Sequence, residues 1–338
     1  MKNLLISTLT VLFGFTASAQ QEPQFTQNFA NQLFVNPAYA GATGSICATM
    51  AYRNQWIGFE GSPKDMLFTL HAPLVLFDSA SQLNPAIGFS FVRDRIGFQS
   101  MLGYKVALTN RFYIPYKGYL HVGLGVGAYG VHFDFSEALS TDGEYGAGIR
   151  DEFINARDQH TDYGLDLDLG VYYRSFKGNF QAGAALKHLN GLTIDGRQFV
   201  RDSNTVQSNR FHLAPNLTIH GSYQFRGRGA WSFEPGLLVK TEFRTLQIDA
   251  SVRAIYRQSI WAGLVYRFQD AVSPMIGYQM RMGRGLLKIG ASYDITTSRL
   301  IQHSSGSFEL FANYCFNLPR EEMFTKIHSG YRGVWKIR

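Results

Sequence analysis

The feature that most constrains this chain is an alternation of apolar and polar residues with period two. Along residues 163–174 one set reads Tyr163, Leu165, Leu167, Leu169, Val171 and Tyr173, and the interleaved set reads Gly164, Asp166, Asp168, Gly170, Tyr172 and Arg174. Successive side chains of a strand point to opposite faces, so one face is apolar and the other polar. One such strand fits any amphipathic sheet. Here the pattern recurs, with Leu246, Ile248, Ala250 and Val252 against Gln247, Asp249, Ser251 and Arg253. It recurs again with Leu287, Ile289 and Ala291 against Lys288, Gly290 and Ser292, and with Phe308, Leu310 and Ala312 against Glu309 and Asn313. Aromatic rings stand near the ends of the apolar faces, at Tyr163, Tyr173, Trp231, Tyr256, Phe308 and Phe316. Rings at both ends of an outward face are the girdles of a membrane barrel. The pattern predicts an all-β fold: a transmembrane antiparallel β-barrel of about fourteen strands, placed over residues 44–318.

Composition agrees. Charged residues make up 17% of the chain, against about 25% in soluble domains. Aromatics make up 14%, and there are 34 glycines. After the N-terminus no segment has the roughly 18 consecutive apolar residues of a membrane-spanning helix. The net charge is +7, but the basic residues are scattered, so no nucleic-acid partner is expected. A basic lumen or contact with an acidic surface fits better.

The start of the chain reads as an export signal. Lys2 precedes a mostly apolar run over 4–15, and Ala17-Ser18-Ala19 is a small-x-small cleavage site. Residues 1–19 are therefore expected to be a signal peptide, with the mature chain starting at Gln20 and bound for the outer membrane. No cysteine follows the cut, so no lipoprotein anchor is indicated.

Residues 20–43 are expected to form a periplasmic or plug segment. Phe25, Phe29 and Leu33 lie at i, i+4 and i+8, one stripe of a short helix that Asn36-Pro37 ends. About two helical turns are not stable alone, so the stripe must pack on the lumen or on a partner. An even strand count puts both termini on the periplasmic side, with long links at 132–162, 188–210 and 297–305 outside. Two periplasmic links, 74–84 and 112–118, are longer than usual for such barrels.

Polar faces that point inward carry both signs of charge. The cations are Arg53, Lys105, Lys187, Lys240, Arg253, Arg267, Arg281 and Lys288, and the anions Asp166, Asp168, Glu234, Asp249, Asp294 and Glu309. Buried charges must pair or stay wet. Gly123, Gly125 and Gly127 share a strand face on which something packs closely.

Cys47 falls in the first strand and Cys315 in the last, and closing the barrel makes those strands antiparallel neighbours. Both cysteines point inward near the periplasmic rim. A seam disulfide needs their Cα atoms within about 7 Å; otherwise both are small lumen residues.

Catalytic patterns are missing from the sequence. The nine histidines form no metal-ligand spacing, and no Gly-x-Ser-x-Gly elbow occurs. His303-Ser304-Ser305 is isolated loop sequence. No cofactor and no enzymatic activity are expected.

Specific blocks carry a family resemblance. Gln24-Phe25-Thr26-Gln27-Asn28-Phe29, then Asn36-Pro37-Ala38-Tyr39-Ala40-Gly41, resemble the mature start of the PorP/SprF proteins of the type IX secretion system in Bacteroidetes. Arg53-Asn54-Gln55-Trp56-Ile57-Gly58-Phe59-Glu60-Gly61-Ser62-Pro63 is similar to that family's R-x-Q-W-x-G-F-x-G-x-P block. Ser273-Pro274-Met275-Ile276-Gly277-Tyr278, Gly290-Ala291-Ser292-Tyr293-Asp294 and Ser307-Phe308-Glu309-Leu310 follow in family order. A basic tail over 319–338 departs from the pattern and is either a docking element or an unstructured end.

The resemblance implies a non-enzymatic outer-membrane component supporting export or surface attachment of cargo such as adhesins, some of them gliding adhesins. The implied partners are cargo, other periplasmic or outer-membrane secretion components, and outer-membrane lipid. Trp56 and Phe59 are candidate partner contacts, or they rest at the membrane interface or over the barrel mouth. Phe25, Phe29 and Leu33 are partner candidates if they do not fill the lumen. The main alternative is a fatty-acid-transporter-like barrel for hydrophobic small molecules, which also has fourteen strands, an N-terminal hatch and an Asn-Pro-Ala motif. Asn36, Pro37, Ala38 and Tyr39 would then be the hatch. Such a transporter needs an apolar path through the lumen, where this chain places charges.

Overall fold

The structure, a computed structural model, describes residues 22–74, 84–133, 162–199, 206–243, 245–298 and 304–318. The expected signal peptide, most of the 132–162 link, His303 and the basic tail from Pro319 lie outside the described residues.

The strands are β1 (Ser45–Asn54), β2 (Lys64–Pro73), β3 (Pro85–Ile96), β4 (Gln99–Ile114), β5 (Gly118–Phe133), β6 (Asp162–Ser175) and β7 (Phe180–Lys187). Then come β8 (Thr193–Phe199), β9 (Val206–His212), β10 (Asn216–Tyr223), the two-residue β11 (Phe225–Arg226), β12 (Trp231–Thr241) and β13 (Leu246–Tyr256). The last four are β14 (Ile260–Arg267), β15 (Ala271–Met282), β16 (Gly285–Thr296) and β17 (Ser307–Asn317).

Every barrel neighbour pairs antiparallel, and the ring closes where β1 meets β17 in register from Ser45↔Asn317 to Asn54↔Phe308. β8 and β9 form a separate hairpin, and β11 pairs only with β12, so fourteen strands make the wall. Closure leaves no unpaired edge, the condition for a sheet to sit in hydrocarbon. Outward residues such as Leu165, Val252, Ile276 and Leu310 are exposed, while most alternate residues are buried or half-buried. Rings gather at one end of the wall, where Tyr173 meets Phe180 at 5.9 Å and Tyr223 meets Phe225 at 4.5 Å.

Links at the end where β1 begins are mostly short, as at 115–117, 176–179, 257–259 and 283–284, while 188–215 and 297–306 at the other end are long. Short turns mark the periplasmic side of outer-membrane barrels, and long links the outside. The ends are named accordingly.

Three sequence expectations need correction. The link expected over 112–118 is only 115–117, because the β4–β5 ladder continues to Ile114↔Gly118. The expected strand whose sequence alternation begins at Phe211, over 211–225, starts only at Asn216, since Pro215 supplies no N–H to the ladder. Before it, β8 and β9 fold back as a hairpin whose base is buried through Leu192, Ile194, Phe211 and Leu213. Leu192 packs into the space left by Gly164 of β6, at the outer end of the barrel. Finally, Arg281 has inward parity but is exposed at the periplasmic end of β15.

Candidate functional site: a strapped lumen and its outer mouth

A fourteen-stranded barrel is too wide for its own inward side chains to fill. Residues 22–44 fill it. They run as a strap through the lumen, from Glu22 at the outer mouth to Gly44 at the periplasmic rim.

The short helix expected from the Phe25–Phe29–Leu33 spacing shrinks to one turn, α1 (Gln32–Val35), followed by a 3₁₀ turn at Pro37–Tyr39. The Thr26 and Gln27 amides donate to the two Glu309 carboxylate oxygens at 2.6 and 2.9 Å. The three apolar side chains then point to different parts of the interior. Phe25 meets Phe34 edge-on at 5.7 Å, and Phe29 meets Trp261 edge-on at 5.2 Å. Leu33 packs with Ala40, Ala86 and Ala107. Phe25 and Leu33 are buried inside the barrel, and Phe29 is half-buried there.

Asn36, Pro37, Ala38 and Tyr39 form the lower anchor. The Asn36 side-chain oxygen accepts from the Ala38 amide at 2.9 Å, capping the 3₁₀ turn. Its Nδ2 donates to the Val171 carbonyl at 2.9 Å and the Ala184 carbonyl at 3.3 Å. Thr109 donates to the Pro37 carbonyl at 2.9 Å. This close approach needs glycine in the wall. A Cβ on Gly123 would come within 2.6 Å of the Ala38 nitrogen, and one on Gly183 within 2.7 Å of Asn36 Nδ2. Tyr39 sets its ring edge-on to His71 at 5.4 Å and Tyr172 at 5.2 Å. Gly41 takes φ +68°, where the chain turns toward β1. The Arg174 guanidinium holds the Ala42 carbonyl at 2.9 Å.

Charges hold the upper half. The Glu22 carboxylate pairs with Lys187 and lies 3.7 Å from Lys240 and 3.7 Å from His188. Burial pushes this carboxyl up, but Lys187, Lys240 and His188 together bring it down to about 2. Arg53 of β1 pairs with Asp294 at 2.6 Å and Glu309 at 3.5 Å, and donates to Thr26 at 2.7 Å. Arg267 pairs with Asp249 at 3.3 Å, and Arg253 with Glu234 at 2.8 Å. Asp166, Asp168 and His188 have ligand atoms within 4.8 Å of one another, a spacing that could hold a cation. The Lys105 ammonium already pairs with both carboxylates, so their charge is met by a side chain.

Above Glu22 the lumen opens into a cleft of about 410 Å³ at the outer mouth. Trp56 lines it. The 55–63 loop is tied across the barrel seam. Trp56 N donates to Ser307 Oγ at 3.0 Å, Ile57 N to Gly306 O at 2.8 Å, and Ser305 N to Ile57 O at 2.8 Å. This leaves Trp56 half-buried and Phe59 exposed. At the other rim Cys47 and Cys315 are ladder partners, 4.0 Å apart at Cα, and are joined as a disulfide.

Sequence reasoning missed Glu22, Thr26, Tyr129 and His188. Their roles come from contacts between the strap and the wall that only the closed barrel creates, as in Tyr129 Oη to Glu22 at 3.5 Å. The one local signal is that Glu22 is an acid opening a segment destined for a lumen rich in cations. The expectation that both termini lie on the periplasmic side is also corrected for the N-terminal end of the described chain, because Glu22 stands at the outer mouth.

The fold is shared with known barrels. The CymD monoaromatic hydrocarbon channel matches with a TM-score of 0.51 at 13% identity, over 87% of this chain and 94% of that one. The Pseudomonas putida toluene transporter TodX matches at 0.48 and 12%, over 88% and 95%, and the Ralstonia pickettii toluene transporter TbuX at 0.47 and 11%, over 86% and 94%. No curated protein matches the chain. The fold fits an outer-membrane location. The model of one protein family, described as type IX secretion system membrane protein PorP/SprF, matches residues 17–314, and the chain belongs to that family.

Proposed function

We propose that this barrel is a non-enzymatic docking component of type IX secretion in the outer membrane, supporting export or surface attachment of cargo such as an adhesin, gliding adhesins included. The strapped lumen carries this reading. Two cavities beside the strap measure about 50 and 30 Å³, the scale of a few waters. A folded or extended cargo chain has no room to pass while the strap is seated. What remains for a partner is the surface: the outer cleft with the 55–63 loop and the β8–β9 hairpin, and the periplasmic rim, where other secretion components would bind. The hydrocarbon-uptake alternative requires an apolar lumen, whereas the wall beside the strap carries Lys105, Asp166, Asp168, Lys187 and Arg267.

Deleting the gene tests the proposal. One or more surface proteins should disappear from the cell surface and return on complementation. A normal surface proteome together with lost uptake of a hydrophobic compound would overturn it in favour of a transporter.

A further inference from the structure

We infer that the outer cleft is a docking site for a basic side chain, an arginine above all, carried by an extended segment of the secreted partner. The inference rests on the docking role proposed above and names the chemistry the cleft selects.

Charge is the first ground. Within the cleft wall, Arg53 is paired with Asp294, Arg267 with Asp270, and Lys240 with Glu22. Two lining carboxylates remain, Asp94 and Glu242, with no cation at ion-pair distance among the described residues. The chain as a whole is basic, at +7, so a surplus of acid at this mouth does not follow from composition.

Asp94 is the second ground. It is 7% exposed, and its Oδ1 has no hydrogen-bond partner among the described residues. Its ladder partner on β2 is another carboxylate, Asp65, which is fully buried and also has an unpartnered Oδ1. Gln55, also in the cleft wall, donates to the other Asp65 oxygen at 2.8 Å. Arg53 is Asp65's ladder partner on β1, but its guanidinium is taken by Asp294, Glu309 and Thr26. Two buried carboxyl groups side by side, each with one oxygen unpartnered, are costly to hold charged. A cation arriving from outside removes that cost.

Trp56 and the size of the cleft indicate which cation. An indole face is the best aromatic partner for a cation, and Trp56 is fixed at the cleft by its bond to Ser307 in a left-handed conformation, φ 49°. A guanidinium can stack on that ring while its planar donors fork onto a carboxylate. The volume of about 410 Å³ far exceeds a bare metal ion and falls within the roughly 300–1,000 Å³ of ligand pockets. It suits a side chain with its flanking backbone.

The test uses the full-length barrel in detergent and two capped alanine peptides, one with a central arginine and one with citrulline there, which keeps the shape and loses the charge. Binding is read by calorimetry and tryptophan fluorescence. The arginine peptide should bind saturably and about tenfold or more tighter than the citrulline peptide. Asp94→Asn and Trp56→Leu should each weaken it about tenfold while the barrel keeps its heat-modifiable folded form. Equal binding of the two peptides, or undiminished binding by both variants, overturns the inference. So does stabilisation by calcium chloride alone that Asp94→Asn abolishes without arginine preference, which would make the pair an ion site. Arginine preference in vitro with normal surface display in the Asp94→Asn strain keeps the cleft chemistry and removes the docking role. Lost display on gene deletion without arginine preference does the reverse.

Discussion

Arg53 of β1 and Asp294 of β16 pair at 2.6 Å across the intervening strand β17, and the same guanidinium donates to Thr26 of the strap. One side chain therefore ties barrel closure to lumen filling.

Replacing Arg53 by methionine leaves Asp294 and Glu309 buried with one cation fewer. Breaking a buried ion pair from one side costs about 3–5 kcal/mol. The variant should unfold in detergent at a clearly lower denaturant midpoint. Two amides of the strap donate to Glu309, so hydrogen exchange at Thr26 and Gln27 should also rise. Native-like exchange at those amides would show that the strap is held without this residue.

The Glu22 carboxyl predicts how the strap responds to acid. Its folded value lies near 2, below the ordinary glutamate value of 4.5. A depressed value means that the charged form is favoured in the folded state. The stabilisation is therefore full above about pH 4.5 and is lost as pH falls toward 2. Exchange of the 22–30 segment, corrected for intrinsic rate, should increase across that window. In Glu22→Gln the step should be absent, and the strap should be looser already at neutral pH. A variant with the wild-type acid profile contradicts the assignment.

The barrel was legible because its code is local. Period-two alternation needs no partner to be recognised, and the strand bounds near Leu246 and Gly285 follow it closely. The strap was legible only as something that must pack. Phe25, Phe29 and Leu33 have helical spacing, but the rings that Phe29 packs on, Trp261 and Phe311, are brought beside it only by the closed barrel. The same holds for Trp56, for which the sequence leaves a partner contact, the membrane interface and the barrel mouth all open. Only the pairing of β1 with β17 brings Gly306 and Ser307 beside it and turns the loop inward. Gly123 gave a correct hint, since a glycine on a strand face marks close approach, but not that Ala38 was what approached.

That contact yields a third prediction. In Gly123→Ala the new methyl would meet the Ala38 backbone nitrogen at 2.6 Å, and neither backbone can yield easily. Overpacking of this kind costs about 1–3 kcal/mol. The wall pairs of β4, β5 and β6 do not involve this side chain, so the barrel should still fold. The lower anchor should not seat. Planar bilayers carrying the variant should show a steady or flickering ion conductance that wild type lacks. Wild-type silence in the variant would mean that the strap seats despite the methyl.

The seam cysteines give the last prediction. Cys47 and Cys315 face each other in the β1–β17 register and are bonded, closing a loop with a sequence separation of 268. An outer-membrane protein matures in an oxidising compartment, where such a bond persists. Denatured protein taken from the membrane should show no free thiol before reduction and two after it. In the chain-entropy argument a loop this long constrains the unfolded state by about 5 kcal/mol, although engineered bridges often deliver less. Cys47→Ser should therefore lower the unfolding midpoint more than loss of two small lumen side chains would, and reduced wild type should match it. The comparison separates the bond from the packing, because reduction breaks the link and leaves both sulfur atoms in place. Two free thiols in the unreduced protein would remove the bridge and leave Cys47 and Cys315 as small neighbours at the periplasmic rim.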